Sequence, residues 1–146
     1  NLKIARHSFY NHFSNLRELY DAYTERKYLE FKKEFERKAK GSQERKVIVS
    51  VYLDLVEEYR IDWFAVPKMQ SKNREYSPEN IFTKFVLERC GMDFDPLSRI
   101  FLVHGCVSIV KEFVWNRKAY SKRKIQDKIL SALEKMSVKE RAKEKQ

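Results

Sequence analysis

Ile4-Ala5-Arg6-His7-Ser8-Phe9-Tyr10-Asn11-His12-Phe13 gathers aromatic rings, hydroxyls and cationic groups into barely three helical turns. In a helix the i, i+3, i+4 rule turns Phe9, Phe13 and Ile4 or Ala5 toward a core and leaves Arg6, His7, Tyr10 and Asn11 outward. That outward row carries guanidinium, imidazole, phenol and amide groups. Such groups suit the major groove of DNA, where Arg forks to guanine and Tyr or His holds the phosphate backbone.

Around this stretch the chain is 146 residues long and 42% hydrophobic, enough for one domain or two small connected ones with a real core. Only three Gly and three Pro occur and 36% of residues are charged, a composition that suits long helices, so an all-α protein is expected. The formal charge of +10 attracts polyanions. From Arg117 onward there are eleven Lys or Arg against four Asp or Glu, which reads as a solvated helical tail. Cys90 and Cys106 have neither metal nor redox spacing and read as reduced, buried thiols of a cytoplasmic protein. No apolar run approaches the length of a membrane span, and no signal-peptide layout opens the chain. The first residue, Asn1, already lies at the edge of the motif, so further residues are expected before it.

Downstream, Asn15 and Glu18 form a variant capping box ahead of a helix whose stripe is Leu16, Leu19/Tyr20, Tyr23, Phe31 and Phe35. It meets no breaker before Gly41, which predicts about 23 residues and about 35 Å of helix. After Gly41-Ser42, the residues from Val47 to Tyr59 are apolar on nearly every face and predict a buried helix. Ile61 to Tyr76 reads as a short helix and an exposed loop. Ser77-Pro78 and Asp95-Pro96 each read as an N-cap followed by Pro at the first helical position. They open helices that reach about Cys90, with Gly91 as the stop, and about Asn116. Ser121 caps a last helix carrying Ile125, Ile129, Ala132, Leu133 and Met136, and fraying is expected beyond about Ser137.

Ser8-Phe9-Tyr10-Asn11-His12-Phe13, followed by Asn15, Glu18 and Leu19, resembles the Thr-(Phe/Leu)-Tyr-x-His-Phe signature of tetracycline-repressor-like (TetR/AcrR) transcriptional regulators. The close match covers about twenty residues; the remaining helices agree in number, length and order. The resemblance implies a helix-turn-helix remnant and connecting helix over residues 1–40. It implies a helical effector-binding and dimerisation domain over residues 41–146. Arg6 and His7 then read base edges, and Ser8, Tyr10 and His12 grip phosphates. Leu16 stands where the family usually has Lys, so Arg17 is expected to supply that contact. The two helices that precede the recognition helix in the family are absent from the chain, and without them DNA binding should be poor.

The resemblance further implies an unknown small-molecule effector held among Tyr59, Trp63, Phe64, Met69, Phe82, Phe85 and His104, although by itself His104 reads as a satisfied core histidine. Gly105 costs about 1 kcal/mol in mid-helix relative to Ala. With Cys106 and Ser108 beside it, it lowers the helix profile and permits close helix approach. In the family the last two long helices form a four-helix bundle across a two-fold axis. Those helices here are Pro96 to Asn116 and Lys122 to Met136, which makes Gly105, Val107, Val110, Val114, Ile125, Ile129 and Leu133 the expected interface.

The expected function is a ligand-responsive, homodimeric DNA-binding repressor acting on a near-palindromic operator of double-stranded DNA. The rival is a family member without DNA binding that serves as a protein-binding co-regulator. No metal-ligand spacing, Gly-rich phosphate loop or Ser/His/Asp grouping occurs in the sequence, so no enzyme activity, metal or cofactor is expected.

Overall fold

The computed structural model describes residues 16–59, 76–116 and 119–138, with side chains from Glu18 onward. Every regular element among the described residues is helical. Helix α1 (Leu16–Ala39) turns Thr24, Tyr28, Phe31, Phe35 and Ala39 into the core. The expected stripe through Tyr23 is corrected here, since Tyr23 is 45% exposed and Thr24 is buried. Counting back one heptad from Phe31 reaches Thr24, so the aromatic end of the helix sets its phase. The Thr24 hydroxyl donates to the Tyr20 carbonyl (2.8 Å) and needs no partner from another element. Lys40 and Gly41 then enter the left-handed region at φ 50° and 73°, and Ser42 N–H donates to the Ala39 carbonyl (2.9 Å). Glycine suits this helix stop because it has no Cβ to clash.

Helix α2 (Arg45–Glu58) buries Ile48, Val49, Val51, Tyr52, Leu53, Leu55 and Val56, consistent with a helix that is apolar nearly all round. It is the hub of the bundle, packing against α1, the π-helical segment and the last two helices. Ser77 caps α3 (Pro78–Phe82) by accepting from Asn80 N–H (3.2 Å). The chain continues as a π-helix over Thr83–Glu88, an element the sequence reading did not contain. Phe85, Val86 and Leu87 are all buried within it, three consecutive side chains facing the core as Val51, Tyr52 and Leu53 do on α2.

Asp95 caps α4 (Pro96–Trp115) by accepting from Ser98 N–H (3.0 Å), and Ser121 caps α5 (Lys122–Met136) by accepting from Lys124 N–H (3.2 Å). Lys122 Nζ reaches back to α2, to Asp54 Oδ1 (2.7 Å) and Ser50 Oγ (2.8 Å). The residues beyond Val138, where fraying is expected, lie outside the described residues. Ser137 is buried and Val138 N–H donates to the Asp93 carbonyl (2.9 Å), which ties the end of α5 to the turn before α4.

The interface expected on α4 and α5 needs correction. Val107, Val110, Val114, Ile125, Ile129 and Leu133 are all buried within the chain's own core, where the two helices pack on each other and on α2. They hold the monomer together and offer no surface to a second copy. Gly105 alone of that group is exposed.

Candidate functional site

Helix α4 is apolar on two opposite faces. The inward face carries Leu102, Val103, Cys106, Val107, Val110, Phe113 and Val114. On the outward face Leu97 is 78% exposed, Ile100 58%, Phe101 75% and Trp115 55%. Between these large side chains lie His104, Gly105, Ser108, Lys111 and Glu112, all exposed. His104 therefore belongs to the outer surface and neither fills the core nor lines a pocket with Phe82 and Phe85. The 3.6-residue period explains this, because His104 lies one turn from Phe101 and Ser108 and opposite the buried Leu102 and Cys106. A helix that is apolar all round is ordinarily covered on all sides, and an exposed cluster of large apolar side chains marks a contact surface.

The neighbouring outer face differs in chemistry. On α5 the exposed residues Arg123, Lys124, Asp127, Lys128, Glu134 and Lys135 are all charged. Between the C-terminal half of α4 and α5 runs a groove of about 550 Å³ lined by Ile109, Glu112, Tyr120, Lys124, Ile125 and Lys128, among others. Its floor is apolar, and Lys124 Nζ lies 5.7 Å from the centre of the Tyr120 ring. The groove opens beside the exposed face of α4, with Glu112 belonging to both.

A second region is aromatic and internal. Where α1 meets the π-helix, Phe85 lies 5.0 Å from Phe31, 5.1 Å from Phe35 and 6.0 Å from Tyr28, ring centre to ring centre. Tyr76 sits 4.9 Å from Tyr28, and the half-buried Tyr59 stands edge-on to Phe31 at 5.9 Å. Phe82 packs edge-on against Tyr52. The pocket residues Tyr59, Phe82 and Phe85 thus belong to one packed aromatic core, whereas Trp63, Phe64 and Met69 lie outside the described residues. The Tyr28 hydroxyl is buried there without a hydrogen-bond partner, as is one carboxylate oxygen of Asp21, two turns earlier on α1. A buried group left unpaired costs about 1–3 kcal/mol.

Both thiols are free, with Cys106 buried and Cys90 half-buried. Burial pushes the Cys106 thiol from 9.0 up to about 12, and drives the Tyr52 phenol well above its ordinary range. Both groups keep their protons in the folded chain at pH values where the unfolded chain releases them. Their contribution to stability is fully present below about pH 9 and is lost as pH rises toward 12, at about 1.4 kcal/mol per pH unit for the thiol. The urea midpoint should fall steadily between pH 9 and 11, and Cys106→Ala should flatten that slope. A midpoint constant over this range would contradict the burial of both groups.

Among the DNA-contact residues expected from the sequence, Arg6, His7, Ser8, Tyr10 and His12 lie outside the described residues. Arg17 falls in the first turn of α1, and its side chain is likewise outside them. Among the described residues no group of three His, Cys, Asp or Glu side chains is placed to hold a metal ion, and no helix is long and apolar enough to cross a membrane. Comparison of the chain with protein-family models, curated proteins and solved structures gave no match.

Proposed function

We propose that the chain is a ligand-responsive DNA-binding transcriptional regulator, a repressor, that works as a homodimer. The observation that carries this reading is the uncovered apolar face of α4 on a chain of net charge +10. Such a face calls for a protein partner, and such a charge calls for a polyanion. Support for DNA as the polyanion comes from the resemblance carried by Ser8 to Phe13. A two-fold dimer would present two copies of the Ile4–Phe13 stretch to successive major grooves about 34–36 Å apart.

The effector would act on the aromatic layer between α1 and the π-helix. Tyr28 offers a polar anchor among Tyr76, Phe85 and Phe31, which suits an apolar or aromatic ligand carrying one hydrogen-bonding group. Because α1 forms one wall of that layer and leads back toward Phe13, a ligand that favours one position of α1 would alter the spacing of the recognition helices. Its leverage is limited to its difference in affinity for the two states.

Binding of double-stranded DNA by the full-length protein tests the reading. Affinity for its operator should fall with salt, by a log–log slope of about 0.9 for each phosphate contacted. Arg6→Ala should relax base preference, whereas Tyr10→Phe should weaken specific and random DNA alike. Salt-independent affinity, or equal loss on both DNAs for Arg6→Ala, would refute the assignment. The second reading, a co-regulator that binds protein and not DNA, is favoured by Leu16, which places an apolar side chain where the resemblance expects a phosphate-binding Lys.

A further inference from the structure

We infer that two copies of the chain pair through α4 in antiparallel register, with Phe101 of each copy seated in the groove between α4 and α5 of the other. This rests on the homodimer reading and specifies its contact. Leu97, Phe101, His104, Ser108, Lys111 and Trp115 are all exposed and follow one another at spacings of 4, 3, 4, 3 and 4 residues. That is the spacing of the a and d positions of a coiled coil, here apolar at Leu97, Phe101 and Trp115 and polar at His104, Ser108 and Lys111. It is also symmetric about position 106, near the middle of the helix Pro96–Trp115. An antiparallel copy centred there sets Leu97 against the partner's Trp115, Phe101 against the partner's Lys111, and His104 against the partner's Ser108.

Charge and size favour this direction. A parallel pair would stack Lys111 on the partner's Lys111, whereas the antiparallel pair lays each ammonium against a Phe101 ring. It also stacks the widest side chains at the two ends and places Gly105 and Ser108 at the centre, where the backbones come closest. Gly105 has no other side-chain or backbone atom within 4 Å of the position a Cβ would take, so the space above it is open for a partner.

The groove follows from the same symmetry. A two-fold axis perpendicular to both helices keeps like sides together, so Phe101 leans toward the partner's Ile109 and Glu112, level with the partner's Lys111. There it meets the mouth of the 550 Å³ groove floored by Ile109 and Ile125 and walled by Tyr120. Area favours this insertion. Scaled by their exposure, footprints of about 150–250 Å² each give the four large exposed side chains of α4 roughly 800–1,300 Å² over both copies. A stable interface buries about 1,200–2,000 Å². Filling both grooves supplies the difference. The charged outer face of α5 then rims the contact without joining its apolar seam.

Sedimentation velocity of the full chain over a range of concentrations, combined with cysteine cross-linking, tests the pairing. The unmodified chain should run at twice 17.7 kDa. Phe101→Glu should weaken self-association at least tenfold with helical circular dichroism unchanged, and Trp115→Ala should act in the same direction. Under mild oxidation the double variant Leu97→Cys/Trp115→Cys should form covalent dimers. Leu97→Cys and Trp115→Cys alone should not, because antiparallel copies hold like positions about 27 Å apart. A dimer indifferent to Phe101→Glu, or a single-cysteine variant that cross-links, overturns the antiparallel seam while leaving a homodimer standing. A chain that stays at 17.7 kDa at every concentration overturns the pairing and the homodimer together. A dimer that passes these tests but ignores DNA upholds the pairing and removes the regulatory reading.

Discussion

Leu133→Ala should destabilise the chain by about 3–4 kcal/mol without changing its association state. Leu133 is fully buried on the inner face of α5, in the layer that α5 forms with α2 and α4. Removing its isobutyl group loses transfer free energy and leaves a cavity, and Leu→Ala changes of this kind cost about 2–5 kcal/mol. A domain stable by about 5–15 kcal/mol would lose a large fraction of its margin. Urea unfolding gives the loss directly, and sedimentation of the folded variant at low temperature gives its mass. If Leu133 instead faced a second copy, truncation would lower the mass at constant stability. That opposite outcome would move Val110, Ile129 and Leu133 back to the interface that the resemblance implied.

The chain's own pattern could not decide between the two for a physical reason. Helix starts and stops are local chemistry, so they are legible along the chain. Ser77, Asp95 and Ser121 each precede their helix and each accepts from the N–H three residues on, and Gly41 and Gly91 both adopt positive φ at helix ends. Facing is not local. Along α4 the valines at 103, 107, 110 and 114 and the larger Leu97, Ile100, Phe101 and Trp115 are all apolar, so periodicity identifies a helix but not which side turns inward. Packing decided it. The valines pack inside with Leu102, Cys106 and Phe113, and Leu97, Ile100, Phe101 and Trp115 remain on the surface.

The same limit applies to α1, where Tyr23 and Thr24 compete for one core position and the chemically less apolar residue takes it. The π-helix was illegible for another reason. Thr83-Lys84-Phe85-Val86-Leu87-Glu88 contains nothing that disfavours α-helix, so no local signal marks the wider turn. As for the candidate site, Gly105 and Ser108 were readable as a low-profile strip. The large side chains that flank the strip become significant only once the opposite face of the helix is filled.

Gly105→Leu should act with opposite signs on the single chain and on its assembly. In the single chain nothing lies within 4 Å of a Cβ built at this position, and the helix continues without positive φ. Replacing a mid-helix Gly therefore raises helix propensity by about 0.8–1 kcal/mol. At this chain length that corresponds to roughly 2–4 °C in unfolding temperature. At the crossing point of two α4 helices, however, the added side chain meets the partner backbone. Association should weaken at least tenfold, about 1.4 kcal/mol or more. Thermal unfolding at a concentration where the unmodified chain is monomeric reads the first effect, and the concentration dependence of mass reads the second. A variant that is more stable and equally prone to associate would show that Gly105 faces solvent in the assembly. A variant that is less stable as a monomer would show that the space above Gly105 is already filled within the chain. Gly105→Ala should give the same pair of signs at smaller amplitude, because its single methyl adds propensity with little bulk. With association weakened, each DNA half-site would be held by one recognition helix without the effective concentration that pairing provides, so operator affinity should fall together with the dimer.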